Sequence, residues 1–297
     1  MWETERRGAP GKLTFTVVKD GVLNFQEGDS VLFRVGETDV FWGYVFTKSR
    51  NKDGTIKVTA YDQLRYLKNK DTIQYEDMTA STFIKTLAND FKLTCGEIED
   101  TKYVIPYRLE EDQTLFDMIQ SALNETLQAT NEMYVLYDLC GKLTLKNIGS
   151  MRVNLLIDKD AAENFDYSTS IDSETYNQVR LMYENDDAGE RQFFQAMDSY
   201  TIGLWGVLQY FEKIDNDANA VKKANALLKY YNRKSRNLSI KNAFGDISVR
   251  GGSSVPVTLD LGDLIANTYM IVEKVKHTLS GKSHFMDLTL IGGDFIA

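Results

Sequence analysis

The sequence has few of the groups that do chemistry. It contains two histidines and two cysteines in 297 residues. The histidines, His277 and His284, stand seven residues apart with no H-E-x-x-H pattern or cysteine cluster near them, so the spacing excludes the common zinc sites. They read as surface or turn residues on adjacent strands. Cys95 and Cys140 are far apart and form no C-x-x-C pair, which suits two free thiols in a reducing compartment. Only three prolines occur, so no Pro-rich linker separates independent modules. No apolar run reaches the ~18 residues a membrane span needs. The opening Met1–Arg7 has no apolar run, which argues against an ordinary secretion signal and a membrane anchor. Excess positive charge is missing too. The formal net charge is −9, the wrong sign for a protein that grips nucleic-acid phosphates.

What is present is strand pattern. Leu13, Phe15 and Val17 alternate with polar residues, as do Val31, Phe33 and Val35. In "DVFWGYVF", Val40, Trp42, Tyr44 and Phe46 form one face and Phe41, Gly43 and Val45 the other. A strand apolar on both faces is covered on both sides or meets another chain. Asn51-Lys52-Asp53-Gly54 supplies a turn, and Ile56, Val58 and Ala60 return as its partner strand.

Residues 76–150 change character. Thr79 or Ser81 caps a helix carrying Phe83, Ile84, Leu87, Ala88 and Phe91. Thr114 and Asp117 resemble a capping box ahead of Leu115, Phe116, Ile119, Ala122 and Leu123. A hairpin follows, turning at Cys140-Gly141-Lys142. Residues 165–214 return to strand-like patterns, 217–233 form one helix, and 238–292 are strands again. Gly28-Asp29 and the segment to Asp62 are echoed by Gly262-Asp263 and the segment to Gly292 in order and spacing. The reading is a mainly β protein with an α+β insertion: a first β-barrel domain over 1–75, the insertion over 76–150, and a related second barrel over 151–297.

Catalytic readings fare poorly. Gly28-Asp29-Ser30 looks like an esterase opening, yet Lys274 and Gly281 stand three residues before the histidines where a D-x-x-H needs Asp. No G-x-S-x-G and no phosphate-cradling glycine loop is present. Two acidic clusters, Glu110-Glu111-Asp112 and Asp186-Asp187 with Glu190, could supply a carboxylate pair; a helix start and a turn explain both. No cofactor or metal pattern is found. The aromatic strip suits a core or an interface better than a sugar platform.

Taken in order, several segments carry a resemblance. They are Trp2-Glu3 before Gly11–Phe15, Glu27-Gly28-Asp29, Phe41-Trp42-Gly43-Tyr44-Val45, Val58–Leu67, Tyr176-Asn177-Gln178-Val179, and "SYTIGLWGVLQ" over 199–209 ahead of the helix. This order resembles the baseplate hub proteins of contractile phage tails and phage-derived tailocins, the XkdQ-like branch of the late control protein D superfamily. Trp205-Gly206 stands where the family usually has Tyr-Gly.

The resemblance implies a structural role: a homotrimer with two barrels per chain, making a pseudo-sixfold ring between a tail tube and a central spike. It implies further partners in a tube-initiator protein, a LysM-type tail protein and baseplate wedge proteins, with DNA only as passing cargo. It places the protein in a virion or tailocin baseplate assembled in the host cytoplasm. An acidic lumen would repel DNA phosphates. Candidate subunit contacts are Trp42, Tyr44, Phe193, Phe194 and Trp205. The competing readings are a phage-encoded cell-wall hydrolase and a carbohydrate-binding barrel.

Overall fold

The computed structural model describes residues 1–18, 22–161, 163–172, 174–185, 190–214, 217, 219–261 and 265–292. Asp186, Asp187, Gly262 and Asp263, which the sequence reading used, lie outside these residues. The chain divides into two compact units: Met1–Asp166 together with the segment from Leu238 onward, and Tyr167–Asn237.

The first unit opens with five strands: β1 (Trp2–Glu5), β2 (Lys12–Val18), β3 (Ser30–Val35), β4 (Thr38–Arg50) and β5 (Thr55–Tyr61). Phe41, Gly43 and Val45 of β4 are buried, and Phe41 shares a core with Trp2, Leu13, Val40 and Ala60. The β4–β5 turn forms as its residues predict. The Asn51 side-chain oxygen accepts from the Asp53 and Thr55 amides at 3.1 Å, and Gly54 takes φ +78°.

Next comes the α+β part: β6 (Lys70–Thr79), α1 (Ala80–Asp90), β7 (Cys95–Ile98), β8 (Val104–Thr114), α2 (Leu115–Thr130), β9 (Tyr134–Asp138) and β10 (Leu143–Asn147). Both expected caps are made. Thr79 Oγ1 accepts from the Thr82 amide at 3.2 Å, and Thr114 Oγ1 from the Asp117 amide at 3.1 Å. The reciprocal half of the box differs: the Asp117 carboxylate accepts from the Thr114 hydroxyl at 2.6 Å. The helices bury Phe83, Ile84, Leu87, Leu115, Met118 and Ile119 in one core with Ile105, Leu143 and Leu145.

Strand β11 (Asn164–Ser170) leads into the second unit: β12 (Gln178–Asn185), β13 (Glu190–Met197), α3 (Ser199–Trp205), β14 (Gln209–Ile214) and α4 (Ala220–Tyr231). The strands form a sheet in the order β13-β12-β14. Its inner face, with Val179, Leu181, Ala196 and Ile214, packs on Ala220, Ala224 and Leu227 of α4. Helix α3 corrects the sequence reading, which took 165–214 as strand-like. Asp198 caps it, its Oδ1 accepting from the Tyr200 and Thr201 amides at 2.9 and 3.2 Å. That local cap wins over a loose pattern.

The chain returns through β15 (Ser235–Phe244), β16 (Ser254–Asp260), β17 (Ile265–Ser280) and β18 (Ser283–Ile291). One ten-stranded sheet joins the chain's two ends in the order β11-β15-β18-β17-β1-β2-β5-β4-β3, with β16 also on β17. The β4–β5 and β17–β18 hairpins share an irregularity. Between Val45 and Thr47, and again between Val272 and Lys274, the long strand steps two residues while its partner steps one. Phe46 and Glu273 are the extra residues, and each marks a bulge. The protein is mainly β with an α+β insertion, as the sequence indicates.

Candidate assembly surfaces

On β4, Trp42, Tyr44 and Phe46 line the half-buried face opposite Phe41. Trp42 and Tyr44 meet edge to face with centroids 4.9 Å apart. Phe46 meets Tyr61 at 5.4 Å, and the Arg65 guanidinium covers Phe46 at 5.4 Å. The neighbours of this strip lie within the chain. The β9–β10 turn sits against Trp42, and the Cys140 thiol donates to the Asp39 carbonyl at 3.2 Å. A methyl group added to Gly141 would stand 2.6 Å from Trp42 Cε3.

The second unit offers a different surface. Phe193 and Phe194 are consecutive in β13 and point to opposite faces of the sheet. Phe194 packs against the α4 core. Phe193 is 48% exposed on the sheet face opposite α4, with the Arg180 guanidinium 4.3 Å from its ring. The register puts Met182 beside Phe193, and Arg180 between Gln195 and Phe211. Phe211 and Met197 are 52% and 60% exposed. Trp205 closes α3 and is half-buried; on the same helix Tyr200 and Leu204 are exposed. The five candidates thus fall into groups: Trp42 with Tyr44, Phe193 on an open face, Phe194 inside, Trp205 at a helix end. Met197, Tyr200, Leu204 and Phe211 went unremarked in the sequence, although Phe193 and Met197 share a face by simple alternation.

The suspected chemical groups have structural partners. Glu110, Glu111 and Asp112 lie just before α2, as the sequence suggested, but in strand β8 rather than in the helix's first turn. Glu110 is buried and bound by Arg108 at 2.8 Å, which also reaches Glu125 at 3.3 Å. Burial raises the Glu110 pKa against the pull of Arg108. Asp29 makes a turn, its Oδ2 accepting from the Gln26 amide at 2.8 Å. The two histidines differ: His277 is fully buried on a strand inside the sheet between β1 and β18, whereas His284 is half-buried beside the β17–β18 turn, as the sequence suggested. Among the described residues, no group of three or more His, Cys, Asp or Glu could hold a metal ion. Cys95 and Cys140 are both free thiols. No helix among the described residues is long and apolar enough to cross a membrane.

The sequence pattern of the YQBQ-like family matches residues 1–291. The chain belongs to that family. Within it, the phage-like element PBSX protein XkdQ of Bacillus subtilis (strain 168) is 30% identical over 97% of this chain and 90% of its own length. The fold is that of phage tail proteins. The 43 kDa tail protein of prophage MuSo2 from Shewanella oneidensis superposes with a TM-score of 0.71 at 12% identity, covering 100% of this chain and 94% of the other. The E. coli c3393 protein is a type VI secretion component said to be structurally similar to the T4 tail proteins gp27 and gp5. It matches with a TM-score of 0.52 at 9% identity over 98% of this YQBQ-like chain and 72% of its own.

Proposed function

We propose that this YQBQ-like protein is the baseplate hub of a contractile injection apparatus, built as a ring of three copies that joins the tail tube to the central spike. One observation carries the reading. The two chain ends build one sheet that contains two bulged hairpins of the same design, β4–β5 and β17–β18. Two related halves per chain and three chains per ring would present six similar units to a hexameric tube and three to a trimeric spike. The likeness to tail proteins supports a structural role over catalysis. The fold shared with c3393, itself likened to gp27 and gp5, supports the contractile setting.

The proposed copy-to-copy packing uses the open face around Phe193, Met182 and Phe211, where exposed Phe193 and Phe211 flank a stacked Arg180, the composition of an interface centre. Trp42, Tyr44 and Trp205 remain candidates beside it. The tail tube or its initiator, the spike, a LysM-type tail protein and the wedge proteins are the proposed partners, with assembly in the host cytoplasm.

Light scattering tests the ring. The purified chain, alone and with the spike protein, is followed over a wide concentration range. A species of three times the 33.8 kDa chain mass in either case is the expected result. A single-chain mass under both conditions contradicts the reading.

A further inference from the structure

The large sheet has a seam, and both histidines of the chain lie at it. β1 joins the β17–β18 side of the sheet to the β2–β5 side. It is short: four residues pair with β17, from Trp2↔His277 to Glu5↔Lys274, and two with β2, Trp2↔Leu13 and Glu3↔Lys12. Trp2 belongs to both ladders. Its buried ring stacks on the His277 imidazole, centroids 4.7 Å apart and planes 21° from parallel. The Arg250 guanidinium lies 5.9 Å from the same indole and 4.5 Å from the Tyr137 ring.

The hydrogen bonds around His277 leave no room for a second proton. Its Nε2 is 2.9 Å from the Val249 carbonyl oxygen, an atom that only accepts, so Nε2 carries a hydrogen. Its Nδ1 is 2.9 Å from His284 Nε2. The network therefore assigns Nδ1 as acceptor and His284 Nε2 as donor, with the His277 ring neutral. A proton arriving at Nδ1 meets an N–H. It forces His284 into its other tautomer or away, and it places a cation in a dry site.

The charged surroundings oppose that proton. His284 from β18 and Arg250 from the β15–β16 connection both disfavour it, while the Val249 carbonyl and Asp246 favour it. Burial lowers the Arg250 pKa, but a guanidinium starts so high that it stays charged. Near Arg250 lie Asp62 and Asp138. Burial first, then the Asp138 charge, holds the Asp62 carboxyl well above its ordinary range, and burial raises Asp138 as well. As the medium turns acid these carboxyls lose charge, and Arg250 loses what offsets it.

We infer that the histidine pair is an acid-sensitive latch on this seam: a proton on His277 costs it the hydrogen bond from His284 and drives the ring out of its dry site, the stacked Trp2 leaves with it, and β1 loses its hold on both neighbouring strands. His277 is pulled from 6.5 down to about 4, chiefly by burial. The folded state therefore binds fewer protons than the unfolded one between those values, and stability drains away as pH falls through that window. Asp62 and Asp138 act with the opposite sign. Their raised carboxyls make the folded state bind more protons just above their ordinary pKa, so they resist acid unfolding. A global melting curve mixes the two, and a local readout separates them.

The full chain is labelled with nitrogen-15 histidine, and its two imidazoles are titrated by NMR. Hydrogen exchange of residues 1–11 is followed beside that of 40–46 in β4, both corrected for the intrinsic pH dependence of exchange. The expected result is a His277 midpoint below pH 5, with exchange of 1–11 rising at least tenfold over 40–46 as it protonates. In His277→Gln that acid-induced excess disappears. His284→Gln keeps a donor toward His277, yet its amide can turn to accept from a protonated Nδ1. It therefore shifts both the His277 midpoint and the release to higher pH, and it serves if His277→Gln does not fold. A His277 midpoint near 6.5, or residues 1–11 as protected as 40–46 after His277 is protonated, overturns the inference.

Discussion

Gly141 lies beneath the Trp42 ring, so close that a β-carbon there would come within 2.6 Å of Cε3. This contact ties the tip of the β9–β10 hairpin to β4, two elements brought together from distant parts of the chain. Gly141 also has φ +86°, a conformation that costs an L-residue roughly 1–2 kcal/mol. Overpacking adds about 1–3 kcal/mol.

Gly141→Ala is therefore expected to destabilise the protein by about 3 kcal/mol, with a shift in Trp42 fluorescence. Denaturant unfolding measures the first and emission the second. A loss under about 0.5 kcal/mol, the size of an ordinary surface change, would mean that the contact is not as tight as described.

Thr114→Ala removes the side-chain acceptor for the Asp117 amide at the start of α2. The expected cost is about 1 kcal/mol. Thr114→Ser keeps the oxygen and should recover most of it. Equal losses in the two variants would argue against the cap.

Alkali should weaken the second unit. Tyr210 and Tyr231 stack at 5.2 Å, and Tyr176 meets both edge-on. Burial pushes the Tyr231 phenol up to about 12 and Tyr210 higher still. Above pH 10, the ordinary tyrosine value, the unfolded chain loses phenolic protons that the folded one keeps. Stability should stay level to about pH 9.5 and fall beyond it. Tyr231→Phe flattens that slope, and circular dichroism melts across the range check it. An unchanged slope would remove Tyr231 from the cause.

Phe193→Asp separates folding from assembly. The ring is exposed and outside the α4 core, so stability should change by no more than about 0.5–1 kcal/mol. Association between copies, and incorporation into particles, should fall at least tenfold. Normal incorporation with a folded chain would remove this face from the contact surface.

Much of the fold is legible because its signals are local. Asp53-Gly54 announces a turn, Thr79 and Thr114 announce helices, and the α2 stripe repeats from Leu115 to Leu123. Helix α3 was hidden because seven residues give too few repeats to set a period, and its cap, Asp198, stands among aromatic residues that suit a strand equally well. The open face around Phe193 was half legible. Alternation tells that Phe193 and Phe194 face opposite ways, but only the position of α4 decides which one is covered. The seam was not legible at all: Trp2 and His277 stand at opposite ends of the chain, and a stack between them exists only once β1 has joined β17.

The most direct measurement of the central claim is an electron cryo-microscopy reconstruction of the particle that carries this protein. Three copies around the tail axis, between tube and spike, with the β4–β5 and β17–β18 halves alternating around the ring, is the predicted result. Copies at the baseplate periphery, or an axis occupied by other chains alone, would contradict the hub assignment.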